Sequence, residues 1–277
     1  MNKTVLNIKI AYDDLSKAEK RIADYIIGDP AGLIPLSISE LAARCNSSEA
    51  TIVRFSRRLG YSGYQQLKIS LAKEENVRGM NENISSSDRP LDIYQKLCGL
   101  VYCSLEKTAS ALDAQALADV CALLPGANTI YLFGLGNSAA VAADAAHKFL
   151  RLGLNAYSYS DTHLQAIAAS HMRAGDVAIG ISHSGSSKDI VDALKIAREA
   201  GAKTVAITNE GKSPVDKVSD YILHTAADET AYTILGLNSR IAQLTIIDAI
   251  YSHLVCHLPQ AKGAIEKTES SLLNKKY

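Results

Sequence analysis

The sequence predicts two folds in one chain: an all-α domain, then a three-layer α/β domain built on a five-stranded parallel sheet. Three observations carry this. Residues before about 80 show only helical patterning. Residues after about 128 alternate short apolar runs with helical segments. A polar stretch ending in Pro90 separates the two. Continuous apolar strands alternating with helices indicate a parallel sheet covered on both faces.

In the first domain, Ser16 with Glu19 makes a capping box, and Ile22, Ala23, Ile26 and Ile27 form the apolar stripe of a helix that stops before Pro30. Ser37 with Glu40 makes a second capping box, for a short helix through Leu41, Ala42 and Cys45. Asn46-Ser47 turns the chain into a helix from Ser48 to Leu59, and a further helix covers Tyr64 to Glu75 with Leu67 and Leu71 inward. The boundaries expected are a helical domain over 1–79, a linker over 80–91 and a second domain over 92–277.

The second domain opens with Ile93, Leu97, Leu100, Val101, Leu105 and Leu112 at helical spacing, then a helix at about Gln115 to Leu124. Five apolar runs follow: 129–133, 156–159, 177–181, 204–207 and 221–223. Helical segments separate them at 139–152, 164–173 and 188–200, and another follows at 241–258. Ligands of such sheets sit at the carboxyl ends of the strands.

Composition narrows the function classes. Hydrophobic residues make up 47% of the 277 and charged residues 21%, a globular mix. Lys+Arg and Asp+Glu both count 29, so a uniformly basic nucleic-acid coat is excluded and any DNA contact needs a local cluster. No apolar run approaches the roughly 18 residues of a membrane span, and the N-terminus shows no signal-peptide core. Five scattered cysteines without a Cys-x-x-Cys point to reduced thiols in a cytoplasm, with no disulfide framework and no zinc site.

Ser37 to Leu59 has the proportions of a helix-turn-helix. On its second helix Ile52, Phe55 and Leu59 face inward, helped by Val53. Thr51, Arg54 and Arg58 share another face, with Ser48 and Glu49 at the start and Arg57 at the edge. Hydroxyls and arginines there suit base edges and phosphates in a major groove. The same pattern also fits a solvated face on a small bundle, since residues 1–78 carry only 12 Lys+Arg against 9 Asp+Glu.

Residues 37–68, with Ser48-Glu49-Ala50-Thr51 running to Arg54-Phe55 and then Leu59-Gly60-Tyr61-Ser62-Gly63-Tyr64, closely resemble the DNA-binding domain of the RpiR family of bacterial transcription regulators. The turn of that family has Gly followed by an apolar residue; here Asn46 and Ser47 stand there. Asn tolerates the left-handed conformation such a turn needs.

Two strand-to-helix turns are rich in Gly and Ser: Gly134-Leu135-Gly136-Asn137-Ser138 and Ser182-His183-Ser184-Gly185-Ser186-Ser187. Each sets backbone N–H groups and hydroxyls at a helix N-terminus, an anion site favoured by the helix dipole. The two together fit one phosphate. Two other readings exist: Ser and Gly that only cap and turn, and a dinucleotide fingerprint from Gly134-x-Gly136-x-x-Ala139 with Asp161.

The second turn resembles the sugar isomerase (SIS) domain signature, Ser-x-Ser-Gly-x-Thr/Ser, at Ser182, Ser184, Gly185 and Ser187. Gly134 to Ser138 is similar to that family's first loop, and Glu229-Thr230-Ala231 with Ser239 to Leu244 to its closing segment. The resemblance implies a phosphosugar whose phosphate rests on Ser138, Ser182, Ser184 and Ser187. Gly136, Asn137, His183 and Gly185 line the same loops, and Glu229 hydrogen-bonds sugar hydroxyls. Between Thr230 and Ser239 the chain lacks the Arg-Ser-Gly-type stretch of many relatives.

His253 and His257, at i and i+4, form a possible metal pair but are read as having no metal. Asp161 and His163 lie near the ligand edge by topology. The expected protein is a cytoplasmic DNA-binding transcription regulator of sugar metabolism, most simply a repressor, without cofactor or catalytic residue. Its expected partners are operator DNA, a sugar phosphate effector and its own copies in a homodimer or homotetramer, with no membrane. The apolar helices near 93–112 and 241–258 are the candidate subunit contacts. The alternative is a phosphosugar isomerase with an accessory helical domain. Arg54, Arg57 and Arg58 separate the two readings, because an isomerase has no use for them.

Overall fold

The computed structural model of the chain describes residues 3–79, 84–227 and 236–273. They form two compact units. The first holds the described residues up to Cys103 with Gly211–Pro214 and 236–238, and the second holds Ser104–Glu210, Val215–Ala227 and the residues from Ser239 on.

The first unit contains helices α1 (Lys3–Ala11), α2 (Lys17–Gly28), α3 (Ile38–Arg44), α4 (Glu49–Arg58) and α5 (Tyr64–Gly79). Both expected capping boxes are present: Ser16 caps α2 with Glu19, and Ser37 caps α3 with Glu40. Each side chain takes an N–H that the first helical turn leaves open. Ile8, Ile22, Ile26, Leu41, Ile52, Phe55, Leu67 and Leu71 are fully buried in one core. Asn46 has φ +45° between α3 and α4, the left-handed turn residue the sequence called for.

Helix α6 (Pro90–Ala111) begins inside the stretch read as linker. Proline has no N–H to lose at the first helical position, and its fixed φ suits that position, so Pro90 starts the helix. Helix α1 and the last helix had no expectation in the sequence.

The second unit continues with α7 (Ala114–Leu123), β1 (Ile130–Gly134), α8 (Asn137–Arg151), β2 (Ala156–Tyr159), α9 (Thr162–Ser170), β3 (Val177–Ile181), α10 (Lys188–Glu199), β4 (Lys203–Asn209), β5 (Tyr221–Thr225), α11 (Leu237–His257) and α12 (Ala261–Leu272). The five strands are all parallel in the order β2-β1-β3-β4-β5. Ile130 pairs with Ala156 on one side and Val177 on the other, so β1 and β3 are neighbours in register.

Successive strand residues serve opposite faces. Leu132, Val177, Ile179 and Ile207 join Val141 and Phe149 of α8 and Ile246 and Ile250 of α11. Phe133, Ala178 and Ala206 join Ala169 of α9 and Ile190 and Leu194 of α10. Helices therefore cover both faces, and the connections after β1 and β3 emerge side by side at the carboxyl edge. Among the described residues no single helix is long and apolar enough to cross a membrane.

Candidate functional site

In the first unit, α4 presents the expected polar face. Ser48 caps it: its Oγ accepts from the Thr51 N–H at 3.2 Å and lies 2.8 Å from Thr51 Oγ1. Arg54 is exposed, and its Nη2 donates to Thr51 Oγ1 at 3.3 Å. Ser48, Thr51 and Arg54 thus form one connected group at the start of the helix. Arg57 is exposed at its far end and donates from Nε to the Ser62 carbonyl at 3.3 Å. Glu49 accepts from the Ser39 hydroxyl at 2.7 Å, tying α4 to α3.

Arg58 stands apart from that group. It donates to the Asp14 carbonyl at 2.7 Å and pairs with Glu19 at 3.5 Å, so part of its donor set holds α4 to the start of α2. Arg21 was missed by sequence reasoning. It donates to the carbonyls of Cys45 and Asn46 at 2.9 and 2.6 Å and so clamps the turn itself. A basic residue on the preceding helix carries no local signal of that job.

In the second unit, Gly134 to Ser138 links β1 to α8. A Cβ on Gly134 would lie 2.5 Å from the Ser138 carbonyl oxygen, so the loop closes this tightly only over glycine. Gly136 (φ +55°) and Gly185 (φ +58°) occupy the left-handed region that glycine enters freely. Ser182 to Ser187 links β3 to α10. Ser182 is buried, and its Oγ donates to Ser187 Oγ at 3.2 Å. Ser184 Oγ accepts from the Ser186 N–H at 3.3 Å. The backbone N–H of Asn209 donates to the His183 carbonyl at 3.0 Å.

The helix starts differ in a telling way. Asp113 caps α7 and Asp161 caps α9 by side-chain hydrogen bonds. The cap positions of α8 and α10, Gly136 and Ser187, make no side-chain cap bond. Two partly positive helix ends, without a carboxylate or hydroxyl cap, therefore open from neighbouring strands. Asn137 and Gly136 are exposed there, and Ser138, Ser184 and Ser187 half-buried. Chemically this is a place for an oxyanion, held by N–H groups and serine hydroxyls.

Glu229 lies outside the described residues. Asp161 accepts from the Leu164 N–H at 2.9 Å and serves α9, while His163, the second residue of that helix, is exposed. His253 and His257 are exposed and stack with ring centroids 4.1 Å apart, and His257 Nδ1 lies 2.8 Å from the His253 carbonyl. Gln165, another residue the sequence did not flag, is fully buried. Its Nε2 donates to the Tyr159 and Gly134 carbonyls at 2.8 and 3.2 Å and so supports the first loop from behind.

Comparison with known proteins agrees with this division. Residues 2–77 match the family model for the helix-turn-helix domain, rpiR family, and residues 123–253 that for the SIS domain. A helix-turn-helix transcriptional regulator of Caldanaerobacter subterraneus is 40% identical over 238 residues, covering 84% of each chain. HexR of Pseudomonas aeruginosa, also a regulator, is 33% identical over 252 residues, covering 90% of this chain and 88% of its own. The structure of the Vibrio vulnificus NanR protein complexed with ManNAc-6P superposes with a TM-score of 0.84 over 99% of each chain, at 27% identity. The fold and these likenesses define a helix-turn-helix transcription regulator carrying a SIS domain. The chain belongs to the RpiR family of such regulators.

Proposed function

We propose that this regulator represses genes of sugar metabolism and releases its operator when a phosphosugar binds the SIS domain. The observation that carries the reading is the pair of uncapped helix N-termini, at Gly136 and Ser187, opening from adjacent strands among serine hydroxyls. A phosphate is the common metabolite group whose charge and acceptor number fit two such ends. NanR, a protein of the same fold over its full length, was solved with a sugar phosphate.

In this reading Gly136, Asn137, Ser138, Ser182, His183, Ser184, Gly185 and Ser187 receive the phosphate end, and Glu229 the sugar hydroxyls. Ser48, Glu49, Thr51, Arg54, Arg57 and Arg58 form the DNA-binding face. Residues 1–79 are the DNA-binding domain, 80–91 the connection and 92–277 the ligand domain. The protein works in the cytoplasm as a homodimer or homotetramer, since helix-turn-helix proteins read paired half-sites. Ligand relieves repression because it favours the state that binds DNA less well; a ligand with equal affinity for both states would shift nothing.

The test is a thermal-shift panel of sugar phosphates. The true effector, at about 100 times its Kd, should stabilise the folded chain by about 2.7 kcal/mol. A Ser184→Ala, Ser187→Ala variant should lose that shift. A shift retained by the variant would place the anion elsewhere.

A further inference from the structure

We propose that Gln165 is a positioning residue of the SIS anion site: its amide fixes the carbonyl from which the first glycine-serine loop departs, and so holds that loop in the shape that takes a phosphate. This rests on the phosphosugar reading above and deepens it.

Gln165 lies on α9 and is fully buried. Asp161 caps α9 close after the end of β2, and the Gln165 N–H donates to the Asp161 carbonyl at 2.9 Å, so the residue stands fixed beside the strand end. The sheet is uneven there. β1 pairs with β2 only as far as Phe133 with Tyr159, but with β3 as far as Gly134 with Ile181. The Gly134 carbonyl thus lies past the last β1–β2 pair, and a buried carbonyl needs a donor. Gln165 supplies it. Its Nε2 donates to the Gly134 carbonyl at 3.2 Å and to the Tyr159 carbonyl at 2.8 Å, so the amide bridges the last residues of β1 and β2.

Two carbonyls on Nε2 fix which end of the amide is nitrogen. Oε1 is then buried, with no hydrogen-bond partner among the described residues. Such an acceptor destabilises a fold. Stability alone therefore does not choose this amide; what it delivers is a fixed start for the loop. Beyond Gly134 the loop has little slack. The Ser138 and Ala139 N–H groups are spent inside it, on the Leu135 and Gly136 carbonyls at 3.1 and 3.2 Å. The close approach of Gly134 to the Ser138 carbonyl shuts the turn from the other side. The placement of the Gly134 carbonyl is therefore passed on to Gly136, Asn137 and the uncapped start of α8. Donors held in place before the anion arrives bind it without the cost of ordering them.

The experiment measures thermal midpoints and, well below them, calorimetric affinities of the full chain. The ligands are inorganic phosphate and the hexose or hexosamine 6-phosphate that most stabilises the wild type. Gln165→Met keeps the length of the side chain and deletes both donors. It should lose about tenfold in affinity for both ligands and leave their ratio unchanged, because the residue acts at the phosphate end. A merely structural glutamine would lower the midpoint and leave the affinity of the folded chain alone. Gln165→Asn keeps the amide but draws it back by one carbon, so that it cannot serve both carbonyls; it should lose about threefold or more. Wild-type phosphate affinity in either variant would overturn the proposal, and the asparagine variant decides the matter if the methionine variant does not fold. A loss confined to the sugar phosphate would overturn it too. A wild type that binds inorganic phosphate and no sugar phosphate would instead remove the phosphosugar reading, while the two variants still decide the role of Gln165.

Discussion

The Arg58 guanidinium lies 3.5 Å from the Glu19 carboxylate, which is itself held by Ser16, so the end of α4 is tied to the cap of α2. Burial pushes the Glu19 carboxyl up, but the hydrogen bonds from the Ser16 hydroxyl and N–H, together with Arg58, outweigh it and hold the group below its ordinary range. A carboxylate with a lowered folded value stabilises the fold above its unfolded value, about 4.3, and that contribution is lost as pH falls through the folded value. The denaturant midpoint of the wild type should therefore drop more steeply below about pH 4.5 than that of Glu19→Gln. Equal acid slopes would mean that the pair does not form.

Lys68 makes the opposite case at alkaline pH. Its Nζ donates to the Leu36 carbonyl at 2.8 Å, which also accepts the Tyr64 hydroxyl at 2.9 Å. Burial pushes the ammonium from 10.5 down to about 8, against the pull of Glu40. The folded chain then binds fewer protons than the unfolded chain between those two values, so this group's contribution to stability rises with pH across that window. Lys68→Met should remove the rise and leave a flatter profile. A wild type whose stability shows no such component would contradict the burial of the amine.

Ser47 should be better as alanine. Its Oγ is buried and, among the described residues, has no hydrogen-bond partner. Ser47→Ala should raise unfolding free energy by about 1 kcal/mol, the cost of an unsatisfied buried hydroxyl. Urea titration at constant m-value checks it, and a loss of stability would show that the hydroxyl finds a partner in solution.

Arg54 and Arg58 should behave differently. Among the described residues Arg54 hydrogen-bonds within the Ser48–Thr51 group of the exposed face, and its charge adds only the last and smallest pull on Glu19, so Arg54→Ala should change stability little and cost on the order of 1–3 kcal/mol in operator binding. Arg58→Ala should lower stability as well, because it strips a partner from Glu19 and a donor from the Asp14 carbonyl. Gel-shift titration at fixed salt, beside urea melts of the same variants, separates them. Wild-type operator affinity in an Arg54→Ala, Arg57→Ala double variant would remove α4 from the DNA-reading role.

Much of this architecture is written locally in the chain. Ser16 with Glu19 and Ser37 with Glu40 announce two helix starts within four residues each, and the apolar runs at 177–181 and 204–207 can only be buried strands. What stayed hidden depends on neighbours far away in sequence. Helix α1 has no side-chain cap signal, and α12 lacks a strong apolar stripe. Pro90 reads as the close of the linker, because a proline that ends a loop and one at the first helical position look alike in sequence. Arg21, Gln165 and Asn209 are polar residues whose partners lie on other elements, 24, 31 and 18 residues away at Cys45, Gly134 and Ala227. No spacing rule reports such bonds. Arg58 was legible as an arginine on the right helix, but its pairing with Glu19 was not.

The central claim is that a sugar phosphate in the SIS domain controls the grip of α4 on DNA. The direct measurement is fluorescence anisotropy of labelled operator with the full chain, titrated with the stabilising sugar phosphate, for the wild type and for Ser184→Ala, Ser187→Ala. The account predicts that the sugar phosphate weakens operator binding by the wild type and leaves the double variant bound at its ligand-free affinity. Unchanged operator affinity in the wild type at saturating ligand, or an equal response in the variant, would contradict it.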